Sequence, residues 1–159
     1  MERFILTKEL GRLAKWLRIL GYDAQYFIED NRSKLIITAL REDRIILTRN
    51  RRMAEPIGMR SINIKDDSVK KQIRQVIKEL KLKLGKDVMF SRCTICNEPL
   101  EFIDKKKVKT KVPEYVFKTQ DRFFRCMNCQ RVYWQGTHWG NAETLISQIK
   151  SQISADKNP

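Results

Sequence analysis

The chain has 159 residues, 42% of them hydrophobic, with 33 Lys/Arg against 19 Asp/Glu and a formal net charge of +14. That length suits one domain or a domain plus a small module, and the apolar fraction excludes wholesale disorder. No apolar run approaches the roughly 20 residues of a membrane span, and the opening Met1–Lys8 lacks the apolar core of a signal peptide, so a cytoplasmic location is the expectation.

Phe4-Ile5-Leu6 is a short apolar run and predicts a buried strand. Leu10, Leu13, Ala14, Leu17 and Leu20 then recur at three- and four-residue steps, the period of a helix with one apolar face. Arg12, Lys15 and Arg18 fall off that stripe, and Gly21 supplies a stop that tolerates positive φ. Ala24–Ile28 predicts a second strand. Asn31 or Ser33 caps the next helix, with Leu35, Ile36, Ala39 and Leu40 on its apolar face. Arg44–Leu47 predicts a third strand, followed by the basic turn Thr48–Arg52 and a short helix near Met53. Ser61–Ile64 predicts a fourth. Asp67 or Ser68 opens a longer helix, lined by Val69, Ile73, Val76, Ile77, Leu80 and Leu84, with Gly85 as its predicted end.

Strand and helix therefore alternate through residues 3–85, the pattern of an α/β unit with a parallel sheet covered by helices. Ligands of such sheets sit beyond the carboxyl ends of the strands, where Thr7 and Asn50 fall. Beyond Gly85 the pattern changes to short strands and turns, at Leu100–Ile103, Lys107–Val112, Arg122–Arg125 and Arg131–Trp134. Asn141 is the predicted cap of a last helix carrying Leu145, Ile146, Ile149 and Ile153, and Ala155–Pro159 reads as a frayed end. The expected organisation is an α/β domain over 1–85, a small β-rich module over 86–140, and a C-terminal helix and tail over 141–159.

Cys93-Thr94-Ile95-Cys96 and Cys126-Met127-Asn128-Cys129 are two C-x-x-C knuckles with 29 residues between the inner cysteines. Each knuckle turns two sulfurs toward one centre, and the pair completes a tetrahedral thiolate site for zinc, with zinc–sulfur distances of about 2.3 Å. A zinc ion held by four protein ligands has no open position, so the site is expected to be structural. A module this small buries little apolar area, and metal binding would supply much of its folding free energy. Two disulfides or four free thiols are the alternatives; paired spacing in a lysine-rich chain favours metal.

The charge is not confined to a tail. Residues 1–85 carry 20 basic and 11 acidic side chains, and residues 86–159 carry 13 and 8. A field of one sign over both halves attracts polyanions, nucleic acid foremost. A lysine excess that serves only solubility is the bland alternative. After the second knuckle comes Val132–Trp139, where aromatic faces beside Arg131 are candidates for stacking on bases. Trp134 is expected to pack the ribbon against the α/β domain instead; for His138 and Trp139 packing and RNA contact are both open. His138, the one histidine of the chain, is also a candidate proton donor.

The stretch Phe4–Asp23 resembles the start of the Mut-7 C-terminal ribonuclease family. Arg44–Arg51 resembles its second motif, and the two knuckles with Tyr133–His138 resemble its zinc-ribbon end. The similarity spans roughly residues 3–140. It implies a PIN-like α/β fold and a ribonuclease function, in which carboxylates clustered at strand ends hold Mg2+ or Mn2+ and the metal activates water. The resemblance implies an Asp, usual in the family, where Thr7 and Asn50 stand, and the acidic residues that often open its second helix where Arg32-Ser33-Lys34 stands. Asp23 and Asp30 are then the candidate catalytic carboxylates, with Glu29 and Asp43 as further candidates.

Three functions follow. The first is an RNA-binding protein whose catalytic positions are degenerate. Arg12, Lys15, Arg18, Arg49, Arg51 and Arg52 would meet phosphates, His138 and Trp139 would assist, and ribosomal RNA, tRNA or another structured RNA would be the partner. The second is an active nuclease using Mg2+ or Mn2+. The third is an adaptor that binds another protein, its charge serving solubility alone.

Overall fold

In a computed structural model, residues 1–54 and 60–158 are described, without the side chains of Ala54, Thr137 and His138. Four strands, β1 (Arg3–Thr7), β2 (Asp23–Phe27), β3 (Ile45–Thr48) and β4 (Ser61–Asn63), form a parallel sheet in the order β2-β1-β3-β4. They alternate with helices α1 (Gly11–Ile19), α2 (Arg32–Arg41), α3 (Arg51–Ala54) and α4 (Val69–Leu80). The chain moves outward from β1 to β2, then back past β1 to β3. Parallel crossovers are nearly always right-handed, so these two moves require α1 and α2 on opposite faces. They lie there. Phe4, Leu6, Ile45 and Leu47 pack with Leu13 and Leu17 of α1 and with Ile73 and Val76 of α4. Ile5 and Ile46 face the other way, onto Leu35 and Ala39 of α2. Each such side chain, fully buried, contributes about 1.5–3 kcal/mol.

The helix ends follow local chemistry. At the end of α1, Gly21 has φ of 90°, and Tyr22 N donates to Leu17 O at 2.9 Å. A Cβ on Gly21 would also stand 2.4 Å from Val88 O, so this glycine is required for two reasons. Asn31 caps α2, its side chain accepting from Lys34 N at 3.0 Å. Helix α4 stops at Leu80, before the predicted Gly85. Lys81 turns left-handed at φ 51° and Leu82 N donates to Ile77 O at 3.1 Å. The apolar rhythm runs on because Leu82 and Leu84 still pack against the core after the helix has ended.

The β-rich module contains β5 (Leu100–Ile103), β6 (Phe123–Cys126) and β7 (Val132–Trp134), antiparallel in that order. No strand forms at Lys107–Val112. Asp104 accepts from Lys106 N at 2.9 Å and starts a 3-10 turn, Lys105–Lys107. A short helix not predicted from sequence, α5 (Glu114–Thr119), follows Pro113. Val108, Val112 and Val116 recur every four residues and pack around Phe123. Trp134 joins that cluster, so it packs on the module's own core where packing against the α/β domain was expected.

The last helix, α6 (Thr137–Lys157), begins four residues before Asn141, with Gly136 at its cap. Ala142, Ile146 and Ile149 are buried in the same core as α1 and α4. The expected fraying from Ala155 is not found: the helix runs to Lys157, and Arg74 and Lys78 of α4 both hold Asp156. Among the described residues, no helix is long and apolar enough to cross a membrane.

Candidate functional site

The carboxyl ends of β1 and β3 mark the point where the two crossovers part, the place where open α/β sheets bind ligands. Thr7 and Thr48 end these strands, both buried, with their hydroxyl oxygens 2.8 Å apart. Just beyond Thr7, the 3-10 turn Lys8–Leu10 brings Glu9 back over the pair. Glu9 Oε1 lies 2.5 Å from Thr7 Oγ1 and 3.1 Å from Thr48 Oγ1, and accepts from Arg49 N at 2.9 Å. Burial acts to raise this carboxyl, yet these hydrogen bonds outweigh it and hold Glu9 below the usual carboxylate range. Asn50 N donates to Thr48 Oγ1 at 3.1 Å, and Asn50 Oδ1 accepts from Arg52 N at 3.1 Å. The Asn50 amide oxygen is thus occupied in capping the start of α3.

Asp23 lies elsewhere. It is the first residue of β2, so it stands at the amino end of the sheet, a strand's length from Thr7. Arg44 Nη1 reaches its Oδ1 at 2.6 Å, Arg3 Nε its Oδ2 at 3.3 Å, and Asn97 Nδ2 donates to Oδ1 at 2.7 Å. Burial opposes ionisation here too, but the Arg44 and Asn97 hydrogen bonds bring Asp23 down to about 2. Asn97 Oδ1 in turn accepts from Ala24 N at 3.0 Å. Asp23 is therefore a structural pin between the sheet and the segment after the first knuckle.

The four cysteines are free of disulfides, and their sulfurs all lie within 4.8 Å of one another. Cys93 Sγ stands 3.7 Å from Cys129 Sγ. Four sulfurs at about 2.3 Å from one ion stand about 3.8 Å apart on a tetrahedron, so the spacing fits a single thiolate-bound metal. Burial raises a thiol, but the Tyr133 hydroxyl, 3.0 Å away, and the Cys96 and Ile95 amides bring Cys93 down to about 7. Burial, and then the neighbouring sulfur, push Tyr133 up to about 12. The first knuckle is also bound to α1: Arg18 Nη1 donates to Thr94 O at 2.9 Å and Ile95 O at 3.1 Å, while Nε donates to Ala24 O at 2.9 Å.

The model of the Mut7-C RNAse domain family matches residues 2–146. The chain belongs to that family. No curated protein and no solved structure shows significant similarity to it. Membership of a ribonuclease family points to RNA as the partner class. It also implies hard divalent cations at the strand ends, which favour anionic oxygen ligands. The strand-end donors of this Mut7-C chain do not fit such an ion. Glu9 is the carboxylate that touches the strand-end hydroxyls, and its Oε1 is already shared by two hydroxyls and an amide; Asp30 and Glu29, beyond β2, are paired with Lys8 and Lys34. Among the described residues, the cysteine set is the one group of three or more His, Cys, Asp or Glu side chains within reach of one ion.

Several expected site residues are placed differently from the reading of the sequence. Asp23 and Asp43 precede β2 and β3 or open them, at the wrong end of the sheet for the strand-end site. Asp30 follows β2 at the right end but is exposed and paired with Lys8 at 2.7 Å, and Glu29 pairs with Lys34. Arg18, expected on phosphate, is buried, with Nε and Nη1 donating to three carbonyls. Trp139 stacks on Phe90 with ring centres 4.4 Å apart, which takes one of its faces from any base. The His138 side chain lies outside the described residues. Arg12, Lys15, Arg49, Arg51 and Arg52 are exposed as expected. Glu9 is the residue that the sequence reading missed. Its signal was position: a carboxylate two residues past a strand end, in a turn too short to carry it away.

Proposed function

We propose that this chain binds RNA without cleaving it, and that zinc in the four-cysteine site is structural. The strand-end centre carries the reading. Thr7 and Asn50 bring no charge, and Glu9 Oε1 is engaged by Thr7, Thr48 and the Arg49 amide. Metal-assisted phosphodiester hydrolysis needs a cation fixed beside the attacked phosphate, and this donor set offers little to hold one. Binding needs only cations, and exposed Arg12, Lys15, Arg49, Arg51 and Arg52 supply them in a chain of net charge +14. Zinc is the metal of choice for four thiolates in tetrahedral array. A cytoplasmic setting and a structured RNA such as ribosomal RNA or tRNA agree with the free thiols and the charge.

The test reads one sample twice. Labelled RNA should bind at 50 mM salt and be released steeply toward 200 mM, as counterion release demands. The bound RNA should then be recovered at full length after incubation with Mg2+ or Mn2+. Affinity indifferent to salt would remove the binding half of the reading; chelator-sensitive shortening would remove the other half.

A further inference from the structure

Arg18 shapes the surface beside it. By holding the carbonyls of Thr94 and Ile95 it draws the first knuckle onto α1, and a cleft of 590 Å³ opens where the two meet. Lys15, one turn before Arg18 on α1, stands on one side. Lys111 and Arg131 of the ribbon module, with Ile95, Tyr133 and Trp134, complete the lining.

Three features of this cleft point to a ligand. First, its lining includes Lys15, Lys111 and Arg131 and no carboxylate. Second, these three cations are exposed and make no ion pair among the described residues, whereas Lys8, Lys34, Arg44 and Arg74 all do. Unpaired cations of one sign around a concavity concentrate field, and a polyanion is the ligand that field selects. Third, half-buried Tyr133 and Trp134 add aromatic surface to the lining that holds the charges, and exposed Ile95 shares it. Phosphate-binding cations interleaved with aromatic rings are the arrangement by which proteins hold single-stranded nucleic acid. The volume lies in the range of about 300–1,000 Å³ typical of small-ligand sites, enough for part of a strand that runs on over the surface.

We propose that this cleft between α1 and the ribbon module is a binding groove for single-stranded RNA, with phosphates on Lys15, Lys111 and Arg131 and a base against Tyr133 or Trp134. The proposal rests on the RNA-binding reading and goes beyond it by assigning the footprint. The groove is separate from the strand-end centre: its lining includes none of Thr7, Glu9, Thr48 and Asn50, and α1 reaches it at Lys15 in mid-helix.

The experiment uses full-length zinc-loaded protein and a fluorescently labelled 12-nucleotide oligouridine, followed by anisotropy at 50–200 mM salt. Lys15→Glu/Lys111→Glu/Arg131→Glu is compared with Lys81→Glu/Lys83→Glu/Lys157→Glu, which makes the same charge change elsewhere. The cleft variant should weaken binding at least tenfold. Removing three phosphate contacts should also flatten the salt slope by about 2. The control should weaken binding less than threefold. Equal losses in both variants would overturn the groove, since charge alone would then explain binding. A cleft variant that binds like wild type would overturn the groove and leave RNA binding standing; wild type that binds no oligouridine would overturn the groove, and failure on a folded RNA as well would overturn both. The milder Lys15→Gln/Lys111→Gln and zinc content guard against misfolding. Photo-crosslinking of 4-thiouridine RNA to the wild type should label the Tyr133–Trp134 peptide; labelling confined to peptides remote from it would count against the groove.

Discussion

The Thr7 hydroxyl stands 2.5 Å from Glu9 Oε1, and the Thr48 hydroxyl lies 2.8 Å from Thr7. This triangle closes the strand ends on themselves. A carboxylate in a metal-dependent nuclease must turn its lone pairs outward to an ion; Oε1 of Glu9 is turned inward to hydroxyls and to the Arg49 amide. Adding negative charge here should therefore strain the centre until a cation relieves it. The double variant Thr7→Asp/Asn50→Asp is expected to lose about 1–3 kcal/mol at pH 7 in the presence of chelator, because like charges crowd Glu9. Millimolar Mn2+ should restore most of its melting temperature and leave that of wild type unchanged. Equal response of both proteins to Mn2+ would contradict this.

Asp23 sets an acid limb. Its folded pKa is about 2, below the ordinary 3.8, so its contribution is present above the ordinary value and fades as pH falls from about 4 toward 2. Asp23→Asn should cost about 1–3 kcal/mol at pH 6, leaving Arg44 without a charged partner on that side. It should also shrink the stability difference between the two proteins as the pH falls through that window. Urea unfolding at a series of pH values measures both, and comparison with wild type cancels the loss of thiolate-bound metal in acid.

Arg18→Met tests the bond between the knuckle and α1. Removal of its guanidinium leaves the carbonyls of Ala24, Thr94 and Ile95 without this donor, and should cost about 2–4 kcal/mol. The knuckle should loosen with it, so metal should pass faster to a colorimetric chelator than from wild type. Unchanged transfer would mean that the ribbon holds its metal independently of α1.

Trp139→Ala separates packing from recognition. Loss of the stack on Phe90 should cost about 1–3 kcal/mol, with RNA affinity within twofold of wild type once the protein is folded. A large drop in affinity with unaltered stability would return Trp139 to the RNA-contact role that the sequence suggested for it.

Much of this was legible in the residues. The parallel sheet followed from short apolar runs alternating with helical stripes, and α2 begins at the Asn31 cap because an asparagine oxygen satisfies the free amide of Lys34. The two knuckles announced the sulfur cluster because four thiolates at that spacing have few other uses. What was not legible depended on which residues meet across the chain. Arg18 looked like a surface cation because its helix position lies off the apolar stripe; two of the three carbonyls it serves are 76 and 77 residues away. Asp23 looked catalytic by type, and only strand direction shows it at the wrong end. Glu9 was not legible because its contacts with Thr7 and Thr48 depend on the 3-10 turn that brings it back over the strand ends. Val108 and Val112 read as strand material, although their four-residue spacing, continued at Val116, suits the turn and short helix that form.

The most direct measurement is electron paramagnetic resonance of Mn2+ titrated into zinc-loaded protein. A strand end sealed by Thr7, Glu9 and Thr48 predicts that manganese stays free up to millimolar concentration. One equivalent bound at micromolar concentration, and lost in Glu9→Gln, would contradict it and put a hydrolytic cation back at the end of the sheet.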